Sequence, residues 1–253
     1  KQINQITRDD FHALRNWWKD RIEQLGLTRN SANKDMVYVA STLRRVALER
    51  QLDLEFSTDR MMFSEKDEKT TRLPIPDAWI MEKILAPGAL DGMNSQALGI
   101  LLTMINTGAR PSEIASLTAA QIHLAGPTPH ISIEPVGRQL KTANARRKIP
   151  LVGCSLLGMT MNREGFPRYA NKAGVTDAIN KYLRENHLFP SPDHTLYGLR
   201  HAFEDRLLAA GVDERIRRDL MGHALSRERY GAGASLSQVP EILQRIAIPA
   251  PTA

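Results

Sequence analysis

The chain has 253 residues, 42% apolar and 25% charged, a length that suits a small domain followed by a larger one and a composition that excludes wholesale disorder. No apolar run approaches the roughly 18 to 20 residues that a bilayer-crossing helix requires, and no apolar signal segment follows a basic start, so a cytoplasmic, nucleoid-associated protein without a membrane partner is expected. The net charge of +6 suits a polyanionic partner without naming one, and the single cysteine, Cys154, excludes an internal disulfide and a cysteine-built metal site.

The chain starts at Lys1 and not at Met, which leads us to expect a further amino-terminal region. Thr7-Arg8-Asp9-Asp10 has the make-up of a helix start with Asp9 or Asp10 as the cap, and Phe11, Leu14, Trp18, Ile22 and Leu25 follow at three- and four-residue spacing until Gly26. A second amphipathic helix is expected to open at Ser31 or Asn33 and to bury Met36, Val39, Ala40, Leu43 and Val46. Trp17, Trp18 and Trp79 read as helix packing. Between Leu54 and Pro76 the period fails and charges crowd together, which predicts a linker over 57–75 between a helical domain, 1–56, and a larger domain, 76–253.

Helices are then expected from Asp77 to Leu85 and from Asn94 to Ile105, and another at Pro111, where proline is tolerated in a first turn and Glu113 suits that end. His130-Ile131-Ser132-Ile133-Glu134 alternates, and Arg147-Lys148-Ile149-Pro150-Leu151 follows the turn-prone Thr142-Ala143-Asn144, which predicts a small antiparallel meander. Helical patterning resumes after Gly153, through Asp177–Glu185, Leu199–Ala210 and Glu214–Met221. A short helix over Ser235–Ile246 and a disordered end at Pro249–Pro251 complete the reading. The fold class is mainly α with a small antiparallel β-sheet.

Three segments carry chemistry. In Thr107-Gly108-Ala109-Arg110-Pro111-Ser112-Glu113 an arginine stands between two helices with a carboxylate three residues on. Its planar fork suits two oxygens of one phosphate. Taken alone this is also a surface ion pair, the commoner arrangement. Lys141 precedes a turn followed by Arg146-Arg147-Lys148, a hairpin tip that reads equally as a solvated basic loop. The third segment is Tyr197-Gly198-Leu199-Arg200-His201, followed by Gly222-His223 and Arg229-Tyr230-Gly231.

Taken together, these segments resemble the tyrosine recombinase (phage integrase) family. That family shows an arginine in a TGxRxxE context, a hairpin lysine, an arginine in an HxLRH-type box, a histidine after glycine, and a tyrosine shortly beyond. The resemblance runs from about Pro76 to Gly231, and the helical amino-terminal part looks like the family's core-binding domain. It implies the recombinase catalytic fold, with Arg110, Lys141, Arg200 and His223 as catalytic residues, Tyr230 as nucleophile and Glu113 as the acidic partner of Arg110. The sequence departs from the pattern in two places. Tyr197 stands where the family most often has histidine or lysine, either lending a hydroxyl to the site or packing, and the spacing from His223 to Tyr230 is short.

The implied reaction is attack of the Tyr230 phenol on a DNA phosphodiester, giving a 3'-phosphotyrosyl bond and a free 5' hydroxyl without ATP, metal or other cofactor. Arg110 and Arg200 would hold the developing charge and Lys141 would protonate the leaving oxygen. His223 would donate to a phosphate oxygen or assist the proton transfer. The expected partners are double-stranded DNA attachment sites, three further copies of the chain in a tetramer, and accessory DNA-bending proteins, in the integration or excision of a phage or genomic island in bacteria. Two other readings stay open: a type IB topoisomerase-like enzyme that only relaxes DNA, and a DNA-binding module of the same fold that has lost catalysis.

Overall fold

The computed structural model describes residues 1–66, 73–135, 146–170, 172, 174–225, 228 and 233–251. The chain divides into two compact units, Lys1–Thr71 and Arg72–Ala253.

The first unit is built on α1 (Arg8–Leu25) and α2 (Arg29–Glu49). Helix α1 begins at Thr7 because the Asp10 carboxylate accepts the Thr7 backbone N–H at 2.9 Å, and it stops where Gly26 turns left-handed at φ 64°. Helix α2 opens earlier than its apolar spacing predicts. The Thr28 hydroxyl accepts the Ser31 N–H at 3.2 Å, so Thr28 is the cap and Ser31 lies inside the first turn.

Phe11, Met36, Ala40 and Ala47 form the core of this unit with Phe56 and Met61. Met61, Met62 and Phe63, assigned in the sequence to the linker, pack on this core. They are fixed there by hydrogen bonds from Arg15 to the Met61 carbonyl and by both backbone groups of Phe63 meeting the Asn33 amide. Single side chains docking from irregular backbone leave no period in a sequence. The segment 67–72 of the expected linker lies outside the described residues. Trp18 packs as expected, donating to the Asp35 carboxylate at 2.8 Å. Trp17 does not: it is 47% exposed, with the Arg21 guanidinium 4.3 Å from its ring centre.

The second unit is organised around α4 (Ser95–Thr107), whose residues from Gly99 to Thr107 are all buried. A helix apolar on every side belongs in the middle of a core. Against it pack α6 (Gly153–Thr160) and α8 (Gly198–Ala209), with α7 (Val175–Glu185) nearby. The approach of α4 to α6 depends on two facing glycines, since a Cβ on Gly158 would lie 2.7 Å from the Gly99 carbonyl oxygen. Helix α3 (Asp77–Trp79) runs into a π-helical turn over Ile80–Ile84, and the Trp79 indole donates to the Leu188 carbonyl at 2.9 Å.

The sheet is an antiparallel meander of β1 (Ile122–His123), β2 (His130–Ile133) and β3 (Arg147–Pro150) in that order. Ile131 lies opposite both Ile122 and Ile149, and Arg147 pairs with Ile133. His123 and His130 face each other across β1 and β2 and stack with ring centres 4.5 Å apart.

Helices α9 (Glu214–Met221) and α10 (Val239–Ile246) complete the unit, the latter shorter than the Ser235–Ile246 expected. At Pro249 the structure corrects the expectation of a disordered end over Pro249–Pro251. Asn106 holds both backbone groups of Ile248, Ile248 is itself buried, and the Cys154 thiol donates to the Pro249 carbonyl at 3.0 Å. Two residues with satisfied backbone groups, one of them with a buried aliphatic side chain, are held by packing despite the proline beside them. Among the described residues no helix is long and apolar enough to cross a membrane.

Candidate functional site

Five side chains that the sequence singled out converge near the carboxyl end of α4. Gly108 terminates that helix in the left-handed conformation at φ 57°, and a Cβ there would sit 2.5 Å from the Phe203 ring. The chain therefore turns sharply, and Arg110 becomes the residue before α5 (Pro111–Ala115). Proline at the first helical position sacrifices no hydrogen bond. Glu113, in the first turn, folds back on Arg110: one carboxylate oxygen accepts the Arg110 backbone N–H at 2.8 Å and the other accepts its Nη1 at 2.7 Å.

Arg200 enters from the first turn of α8 and is 5% exposed. Its Nη1 donates to the Gly108 carbonyl, and its Nη2 donates to the Met221 carbonyl and to His223 Nε2, the last at 3.0 Å. The two carbonyls close α4 and α9, so this one guanidinium fixes both helix ends. A guanidinium only donates, so Nε2 of His223 accepts and the neutral ring carries its proton on Nδ1. Burial and the neighbouring Arg200 hold the His223 pKa below its usual value. Tyr197 precedes α8, half-buried and within electrostatic reach of Arg200.

A residue that sequence reasoning missed joins them. Arg147, first in β3, has a side chain only 5% exposed. Its Nη1 and Nη2 reach the two Glu113 oxygens at 3.2 and 2.8 Å, and its Nε donates to the Leu220 carbonyl at 2.8 Å. The signal was present in the alternation: Arg147 falls on the inward face with Ile149, while Lys148 faces solvent. An arginine on the apolar face of a strand needs a buried acceptor.

Burial opposes ionisation of Glu113, yet the hydrogen bonds and charge of Arg147, with those of Arg110, outweigh it and pull its pKa down to about 2. Burial, then the charges of Arg110 and Arg147, lower the Arg200 pKa to about 10, which still leaves it protonated at neutral pH. The contribution of Glu113 to stability is thus present above its unfolded pKa of 4.5 and lost as pH falls towards about 2. We expect urea denaturation to show stability falling over that window, with a shallower slope in Glu113→Gln. An unchanged slope would mean that the carboxylate is not held as described.

Arg110 and Arg147 both pair with the Glu113 carboxylate and Arg200 lies within electrostatic reach of it, so these four groups together carry two net positive charges. Arg110 and Arg200 keep N–H donors with no acceptor among the described residues. Lys141 and Tyr230 lie outside the described residues, so of the expected set the structure brings together Arg110, Glu113, Tyr197, Arg200 and His223.

No protein-family model and no curated relative matches the chain. Solved structures do. The integrase of transposon Tn1549, in complex with transposon right-end DNA, matches at 16% identity and a TM-score of 0.57 over 93% of this chain and 84% of that one. The same integrase with circular-intermediate DNA matches at 19% identity and a TM-score of 0.57 over 89% and 80%. A lambda integrase dimer bound to a core site matches at 16% identity and a TM-score of 0.58 over 88% and 77%.

Proposed function

We propose that this chain, which has the tyrosine recombinase fold, is a site-specific DNA recombinase that cuts through a 3'-phosphotyrosyl intermediate, in the integration or excision of a phage or genomic island. The observation that carries the reading is the cluster of Arg110 and Arg147 on the Glu113 carboxylate, with Arg200 beside them holding His223. A phosphodiester bears one negative charge and gains a second as phosphorus becomes five-coordinate, so a site with two net positive charges is matched to the state it must stabilise.

Magnitudes support this assignment. Converting a phenol of pKa near 10 to phenolate at neutral pH costs about 4 kcal/mol. A charge pair about 4 Å apart at an effective dielectric of about 20 is worth a similar amount, so one or two well-placed guanidinium groups offset that cost. In this reading Tyr230 is the nucleophile, Lys141 gives a proton to the departing 5' oxygen, and Arg110 and Arg200 bind the non-bridging oxygens. His223 donates to the phosphate or passes a proton. Tyr197 adds a hydroxyl beside Arg200. The first unit serves as a core-binding domain on the same duplex. Strand exchange takes place between two attachment sites held by four copies of the chain, with accessory DNA-bending proteins.

The test is incubation with nicked duplexes carrying candidate attachment sites, followed by denaturing electrophoresis and mapping of the DNA-linked peptide. A 3'-linked adduct on the peptide containing Tyr230, with recombinant product from paired sites, is expected. An adduct without recombinants and with site-independent relaxation of supercoils would indicate a topoisomerase-like enzyme. Absence of adduct on DNA that the protein binds would indicate a binding module.

A further inference from the structure

Arg147 does more than an ion pair requires. It is the first residue of β3, its guanidinium engages both oxygens of Glu113 in α5, and its Nε holds the Leu220 carbonyl in the last turn of α9. One buried side chain thereby joins three elements. Each leads to a different part of the site: α5 to Arg110, the end of α9 to His223, and β3 back along the chain to Lys141.

Glu113 already has a partner three residues away in Arg110, and one carboxylate cannot neutralise two guanidinium groups. Burying a second arginine beside it carries a desolvation cost that apolar packing would avoid, so stability alone does not call for this residue. Its geometry supplies the reason. With Arg147 across both oxygens, the Glu113 carboxylate has one orientation, and in that orientation it accepts from both the backbone N–H and the Nη1 of Arg110.

We propose that Arg147 is a positioning residue for strand cleavage: through Glu113 and the Leu220 carbonyl it sets the Arg110 guanidinium and the turn bearing His223 where both meet the scissile phosphate. This role rests on the recombinase reading above. Arg147 acts through other groups and does not touch the phosphate, so its loss moves the rate of cleavage and not the affinity for DNA.

The experiment measures adduct formation at saturating nicked duplex, DNA affinity and thermal melting for wild type, Arg147→Lys, Glu113→Gln and the double variant. Lysine keeps the charge but cannot span two carboxylate oxygens and a carbonyl. For Arg147→Lys the cleavage rate is expected to fall about a hundredfold, the scale of a small misplacement of a reacting group. The dissociation constant should stay within about threefold, the signature of an interaction needed only in the transition state. Because both residues act through one carboxylate, the double variant should cleave no more than about threefold slower than the worse single variant.

Where Arg147→Lys does not fold, Arg147→Met, which replaces the buried ion with an apolar chain, is measured in its place and at least the same loss is expected. A folded Arg147 variant that cleaves at the wild-type rate overturns the role. So does a fall in affinity equal to the fall in rate, or single losses that multiply in the double variant. A wild-type protein that binds the duplex and forms no adduct sinks the recombinase reading and this role with it, whereas the preceding outcomes sink the role alone.

Discussion

Tyr230→Phe is expected to abolish the covalent protein–DNA adduct while leaving binding of the same duplex unchanged. The substitution removes one oxygen, and in the proposed reaction that oxygen becomes the new ester linkage to phosphorus. Arg110 and Arg200 only donate hydrogen bonds and Nε2 of His223 is taken by Arg200, so the other phenol beside Arg200, Tyr197, is the group that the peptide map must distinguish from Tyr230. Loss of a nucleophile in enzymes of this covalent kind lowers the rate on the order of 10⁶-fold, so the adduct should fall below detection. The check is a denaturing gel beside a binding titration. An adduct that persists in Tyr230→Phe would assign the chemistry to another side chain, and the arginine cluster would then have to be re-read around that residue.

The parts of this fold that were legible in the sequence are those where a local rule acts alone. Helix α1 shows its apolar period and its stop at Gly26, although its cap is Thr7 and not the expected Asp9 or Asp10. The turn from α4 into α5 shows glycine, proline and glutamate each at the position its backbone chemistry favours. Arg110, Glu113, Arg200 and His223 were singled out by the order and spacing of a family pattern and not by any local rule, and each stands near a helix end. What was not legible depends on contacts between distant residues. Met61 and Phe63 are held by Arg15 and Asn33, some thirty to forty-six positions away, and Ile248 by Asn106 across 142 positions. Arg147 was hidden among basic neighbours on a presumed solvent-facing hairpin, and only the pairing of β3 with β2 turns it inward onto Glu113. Its partners lie on α5 and α9, and no spacing rule links those segments to a strand.

Arg200→Lys should separate two roles that one guanidinium performs. Its Nη1 and Nη2 satisfy the carbonyls that end α4 and α9 and hold Nε2 of His223, while in the proposed reaction its remaining N–H groups bind a phosphate oxygen. Lysine is a single charged point on a flexible stem and cannot reach both carbonyls and the imidazole together. Leaving a buried carbonyl without a donor costs about 1–3 kcal/mol, so a lower melting temperature is expected for the second unit. The effect on reaction should be larger. Removing one preorganised donor to a developing oxyanion lowers a rate about 10²–10³-fold, and here the imidazole loses its fixed orientation in the same step. The cleavage rate of folded Arg200→Lys at saturating DNA should therefore fall by at least that factor. Wild-type cleavage by a stably folded Arg200→Lys would mean that Arg200 only braces the two helix ends, and the phosphate would have to be bound by Arg110 without it.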